Sequence, residues 1–233
     1  SKKERPDRIK RDEMKHGSGA SVFFHKAMYN RFRFAHLKIF TKTSEFYLVV
    51  LVGIAVLTRL AAQSNSFIPA GIALAALAFF RSLGNPLAAD MSMNCFVTVP
   101  ASAHEKVFYS LLSGTVSAIL DMLPAVIISA LIVGASPITV IAFMLLAVCV
   151  DFYSANVMLF IEFSLPTSLA LAAKQSISIM FIYFGIAPIA AVAIIGAALG
   201  LFEPFLFIAS LVAFAIGAVF FAFSPMFIAK GRK

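Results

Sequence analysis

Charge is what this chain has least of. Asp, Glu, Lys and Arg make up 13% of its 233 residues, against roughly a quarter in a soluble domain. Several chemical signatures are missing as well. No Gly-x-x-x-x-Gly-Lys-Ser/Thr run is present, so the chain has no phosphate-cradling loop of its own for ATP. No His-Glu-x-x-His occurs, and His16, His25, His36 and His104 fall at no metal-ligand spacing. No Gly-x-Ser-x-Gly elbow is present. The two cysteines, Cys95 and Cys149, make no Cys-x-x-Cys; one falls in a loop and one in mid-span, which argues against a disulfide. No signal-peptide pattern opens the chain. These absences argue against an enzyme acting on its own, and no metal or cofactor is expected in this chain.

What is present is apolar length. Hydrophobic residues make up 61% of the chain, and several runs reach the roughly 18–20 residues that cross a bilayer. The expected fold class is an all-α polytopic membrane protein, with an N-terminal interfacial helix and six transmembrane helices. The spans fall at about 46–62, 67–87, 107–134, 138–163, 177–200 and 205–228. The second is thin: its 14 apolar residues, Phe67–Phe80, cover only about 21 Å before Arg81. It either continues past Arg81 or sits thinly in the bilayer.

Twelve of the 19 Lys and Arg fall in residues 1–42. On a membrane protein such a segment is expected at the cytoplasmic face, against anionic headgroups rather than nucleic acid. Residues 1–19 are too polar to build a core and read as a flexible basic tail or linker. Over 20–43, Phe24, Met28, Phe32, Ala35 and Ile39 recur at steps of four and three, with Arg33 among the flanking cations. That pattern predicts an amphipathic helix with its apolar stripe in the acyl boundary and its basic edges, Arg31 included, reaching headgroups. Phe23 and Phe34 lie off the stripe. The turns assigned to the far side carry no Lys or Arg apart from Arg59 at a span edge, so the positive-inside rule places both termini on the cytoplasmic side of a cell membrane, and a bacterial one is expected. Residues 44–230 form the membrane domain, and the segment 88–106 between spans 2 and 3 faces the cytoplasm. Met91, Met93, Phe96 and Val97 give that segment an apolar surface suited to docking.

Asp121 and Asp151 fall well inside apolar runs. A carboxylate there costs at least about 2.5 kcal/mol on insertion scales, so each should face the bundle interior, a cavity or a partner. They read either as a substrate path or ion-coupling pair, or as acids satisfied by nearby hydroxyls, Ser117 for one and Ser154 for the other. Counted from the span ends, they lie about 10 Å apart in depth and are not expected to pair. Gly185, Gly196 and Gly217, with neighbouring alanines, permit close helix approach in spans 5 and 6. Pro188 either kinks span 5 or starts a half-helix.

The central run Asp90-Met-Ser-Met-Asn-Cys-Phe-Val-Thr-Val-Pro-Ala-Ser resembles the cytoplasmic loop of ABC-2-type exporter permeases. There a short coupling helix ends in a Leu-Leu-x-x-Pro-Val-Ser-like turn before a span with a charged start; Phe96 to Ser102 is the matching stretch. The opening Gly17-Ser-Gly-Ala-Ser-Val-Phe-Phe-His-Lys is similar to what precedes the membrane part in a less characterised branch of ABC exporters. The loop departs from the usual pattern in carrying Asn85-Pro86 and Asp90 where Glu and Gly are commoner. The resemblance implies a permease subunit, or half, of an ATP-driven exporter, docked on a separate ABC ATPase through Asp90, Met91, Met93, Phe96, Val97 and Pro100. ATP and magnesium would bind that ATPase. It also implies a second membrane half, supplied by a homodimer or by an N-terminal half of a longer chain; the basic opening without Met fits the latter. The alternative is a secondary transporter using Asp121 and Asp151 for ion coupling.

Overall fold

A computed structural model describes residues 19–34, 40–61, 63–83, 99–165, 169 and 171–230. They form seven helices: α1 (Ser21–Phe34), α2 (Lys42–Leu60), α3 (Ile68–Leu83), α4 (Ala103–Val133), α5 (Pro137–Ser164), α6 (Leu171–Ala198) and α7 (Phe202–Lys230). No strand occurs among the described residues. Helices α2, α4, α5, α6 and α7 are long and apolar enough to cross a membrane, while α3 is shorter at 16 residues. Large apolar side chains such as Leu57, Leu131, Phe184, Ile194 and Leu211 face outward. Water would not tolerate so extensive an apolar exterior, whereas lipid tails match it.

The helix ends are set by local chemistry. Thr41 is extended (φ −93°, ψ 165°) and caps α2 through a reciprocal box with Ser44. The expected single helix over 20–43 is therefore interrupted before Lys42. Ser102 and Glu105 form the equivalent box at α4, so that helix begins at Ala103, before the apolar run. Gly134 takes a left-handed conformation (φ +65°) after α4, and Pro137 opens α5. Helix α6 runs unbroken through Pro188 and begins at Leu171, so Pro188 starts no half-helix and Lys174 is helical rather than in a loop.

Helix α5 is the hub. It packs most extensively on α7, then on α3, and also meets α4 and α6. Helix α2 lies along α4, and α1 docks on the first half of α4. The main core runs through Leu51, Leu74, Met122, Phe143, Tyr153, Ile182 and Leu206. A second, smaller core joins Phe23 of α1 to Val107, Leu111 and Leu159. Phe23, one of the two residues off the predicted stripe, thus joins α1 to α4. Phe24 and Met28 stay partly exposed and Phe32 about half so, leaving the stripe beside the docked face; Arg33 is exposed as well. Ile39 lies outside the described residues.

The close approaches expected of the small residues are present. A Cβ built at Gly185 meets Tyr153 Oη at 2.0 Å, at Gly196 it meets Phe205 Cβ at 2.1 Å, and at Gly217 it meets Phe152 at 2.9 Å. Gly71, on α3, makes the same kind of contact with the Phe143 ring of α5, at 2.4 Å.

Candidate functional site

The most polar place in the bundle is one buried ion network joining five helices. It starts with the α2 cap. Thr41 Oγ1 and Ser44 Oγ each accept a backbone N–H of the capping box. Their own O–H groups both donate to Asp121 Oδ1, at 2.7 Å each. The same oxygen lies 2.8 Å from Arg31 Nη2 of α1. Arg31 Nη1 donates to the Ser117 carbonyl oxygen at 3.2 Å. Arg81, in the last turn of α3, approaches Asp121 Oδ2 through Nε at 3.9 Å. Its Nη1 donates to Asp151 Oδ1 of α5 at 2.8 Å, and its Nη2 donates to the Gly114 carbonyl oxygen of α4 at 3.1 Å. Side-chain exposure is 7% for Arg31, 5% for Asp121, 4% for Asp151 and 21% for Arg81. Two guanidiniums face two carboxylates, so the cluster is neutral as a whole. Tyr47, one turn beyond Ser44, is buried within electrostatic range of Arg81, Asp151 and Asp121. Its hydroxyl has no hydrogen-bond partner among the described residues.

The two acids thus belong to one network, contrary to the depth count. The reason is the length of α4. Its 31 residues extend about 46 Å, more than the roughly 30 Å of hydrocarbon. Depth is better counted from the end that the short turns share. From there Asp121 lies about 18 Å down α4, Asp151 about 21 Å down α5 and Arg81 about 20 Å along α3. All three meet at one level, and an arginine long enough to bridge the gap closes the pair indirectly. The satisfying hydroxyls also differ from those expected. They come from α2, while Ser117 contributes its carbonyl and the Ser154 hydroxyl has no partner among the described residues. Arg31, read as a headgroup-seeking edge, instead points into the bundle.

Arg31, Arg81, Thr41 and Ser44 were not legible as site residues. The available signal was weak: each borders an apolar run, where a cation or a cap is ordinary.

A family model described as "Putative ABC exporter" matches residues 1–232. The chain belongs to that family. No curated protein and no solved structure matches it. This ABC exporter family member is a multi-pass membrane component of an exporter, and membership implies an ABC ATPase as partner.

Within the exporter-family chain the remaining predicted residues fall as follows. Asp90, Met91, Met93, Phe96 and Val97 lie outside the described residues. Pro100 is exposed, and its carbonyl oxygen lies 3.8 Å from a Cβ built at Gly19. Val99 packs on the Phe23 cluster. The exit of the α3–α4 connection is therefore pinned against the start of α1. No group of metal-ligating side chains occurs among the described residues.

A second ion pair closes the α5–α6 end. Lys174 Nζ lies 3.3 Å from Glu162 Oε1; the lysine side chain is 8% exposed and the glutamate 37%. Removing the acid leaves a buried ammonium, whereas removing the ammonium leaves a half-exposed acid. Glu162→Ala is expected to cost about 1–3 kcal/mol, and Lys174→Met, which keeps the stem, less than about 1 kcal/mol. Melting of the two purified variants in detergent checks this; equal losses would contradict it.

Proposed function

We propose that this chain is the permease subunit, or half, of an ATP-driven ABC exporter, coupled to a separate ATPase through the connection between α3 and α4. The observation that carries the reading is the family match across residues 1–232, on a chain whose long apolar helices hold no nucleotide loop of their own. Helix α3 counts as the sixth crossing. Its last turn returns to the level of the α2 cap, since Arg81 and Thr41 both reach Asp121. The α1 end of the bundle then faces the cytoplasm, in keeping with the basic residues 1–42. The α1 stripe Phe24, Met28 and Phe32 lies in the acyl boundary, with Arg33 toward headgroups. ATP and magnesium act on the ATPase, and a second membrane half completes the pathway.

Mechanically, the loop bearing Asp90, Met91, Met93, Phe96 and Val97 seats in a groove of the ATPase. Pro100 fixes the angle at which the chain enters α4. Closure of the ATPase around nucleotide then tilts α3 and α4 as bodies, provided the two membrane states bind the closed ATPase with different free energy. An ion-coupled carrier would need Asp121 and Asp151 open to a cation. Both are instead matched by fixed guanidiniums, which favours the ATP-driven reading.

Phe96→Asp is the direct test. It places a charge in the apolar docking surface without touching a span. The expected result is normal membrane insertion with loss of the co-purifying ATPase. An ATPase retained at wild-type stoichiometry would remove the docking surface from the proposal.

A further inference from the structure

We propose that Arg81 is the positioning residue through which movement of the α3–α4 loop reaches the rest of the membrane domain. The inference rests on the loop being the ATPase dock and names the next link inward.

Three observations converge on this side chain. First, its place in the chain: Arg81 is the one charged residue of α3 and lies two residues before the helix ends at Leu83, next to the loop. Second, its reach: one guanidinium donates to Asp151 of α5 and to the Gly114 carbonyl of α4, and lies 3.9 Å from the far oxygen of Asp121. Asp121 in turn holds Arg31 of α1 and both hydroxyls of the α2 cap. Third, the weakness of direct packing: α3 packs along α5 and α2 but meets α4, on which α1 chiefly packs, only slightly. The direct tie between the end of α3 and α4 is therefore the Arg81 side chain, beside packing relayed by α2 and α5. Displacement of the α3 end is thus passed directly to α4 by Arg81, at the Gly114 carbonyl and beside Asp121, and from α4 to α1.

The physics makes this link stiff. Charges buried away from water interact far more strongly than exposed ones, and a separated pair leaves two uncompensated ions. The neighbouring helices follow the guanidinium rather than release it. Hydrogen bonds of 2.7–2.8 Å at Asp121 and Asp151 also tolerate little stretch, so the cluster moves as a body or breaks. Helix α6 contributes no side chain to the network described above, so a position on it serves as the reference for movement of α1. A lysine cannot take over: it is a point charge on a flexible stem and cannot hold three acceptors on two helices in one plane.

The test uses the full chain purified with its ATPase. Spin labels are placed on the exposed positions Phe32 of α1 and Phe184 of α6 (Phe32→Cys and Phe184→Cys), after Cys95→Ser and Cys149→Ala. The distance between them is measured without nucleotide and after trapping with magnesium-ATP and vanadate. In the otherwise native complex trapping is expected to shift the distance by about 2 Å or more, the scale of coupled helix movements. In Arg81→Lys the ATPase is expected to remain bound and the shift to vanish. Arg81→Gln, which keeps the stem without the guanidinium, serves as the second variant should the lysine form not assemble, with the same expectation. A full shift in either variant, or none in the parent complex, overturns the role of Arg81 alone. Failure of the parent chain to retain any ATPase overturns the docking reading, and this inference with it.

Discussion

Asp121→Ala is expected to destabilise the protein by about 3–5 kcal/mol, the usual cost of removing one partner from a buried charge cluster. One carboxylate oxygen accepts two hydroxyls and faces one guanidinium, and the other oxygen faces a second guanidinium. Alanine removes the acceptor that these groups share and leaves two guanidiniums facing the single carboxylate of Asp151. The damage is also directional. Helix α1 meets α4 through the Phe23 cluster and through Arg31, which holds both the Ser117 carbonyl and Asp121, so losing Asp121 should loosen α1 before the rest. Arg31→Met should be much milder. It removes a charge while keeping the stem, and Asp121 retains both hydroxyls and Arg81. Thermal melting in detergent, with limited proteolysis across residues 35–41, separates the two variants. Melting of Asp121→Ala within about 1 kcal/mol of wild type would mean the network does not hold the bundle together.

Gly185→Ala should also be severely destabilising, with the opposite sign to the general expectation. In a helix interior, alanine normally gains about 0.5–1 kcal/mol over glycine. Here the added methyl would lie 2.0 Å from Tyr153 Oη, 2.5 Å from Cζ and 3.1 Å from Cε2. Tyr153 has no freedom to retreat. It is 1% exposed, and its hydroxyl donates to the Phe181 and Ile182 carbonyl oxygens of α6 at 2.9 and 3.3 Å. Behind it, α7 approaches so closely that a Cβ at Gly217 would meet the Tyr153 backbone at 3.0 Å. Relief requires α6 to move away from α5, so the net cost should exceed the ordinary 1–3 kcal/mol of overpacking. Rescue distinguishes collision from helix propensity. Tyr153→Phe should restore little, because Cζ remains in the way. Tyr153→Leu in the Gly185→Ala background should restore most of the loss. Stability of Gly185→Ala equal to wild type would disprove the close contact.

Legibility followed the range of the interaction. The apolar runs announced the membrane helices, and their ends shifted by a few residues where capping boxes extended a helix into polar sequence, as at Ala103. Asp121 and Asp151 could be singled out because a carboxylate inside an apolar run is costly anywhere. Their partners could not. Arg31 follows the rhythm of a headgroup-seeking edge, and Arg81 that of an ordinary span terminus. Phe23 broke the stripe it was judged by, because that stripe describes a face toward lipid and Phe23 belongs to the face toward α4. The pairing of Glu162 with Lys174 was hidden by placing the lysine in a loop.

The amino-acid order alone determined the class of protein, its long apolar helices and the positions of its costly acids, since these depend on transfer free energies summed over neighbouring residues. Only the tertiary structure decided what neutralises those acids. That depends on which helix ends arrive at the same depth and on which way each side chain turns. Those are properties of five packed helices, four of them separated from Asp121 by a chain reversal or a loop, and no local pattern carries them.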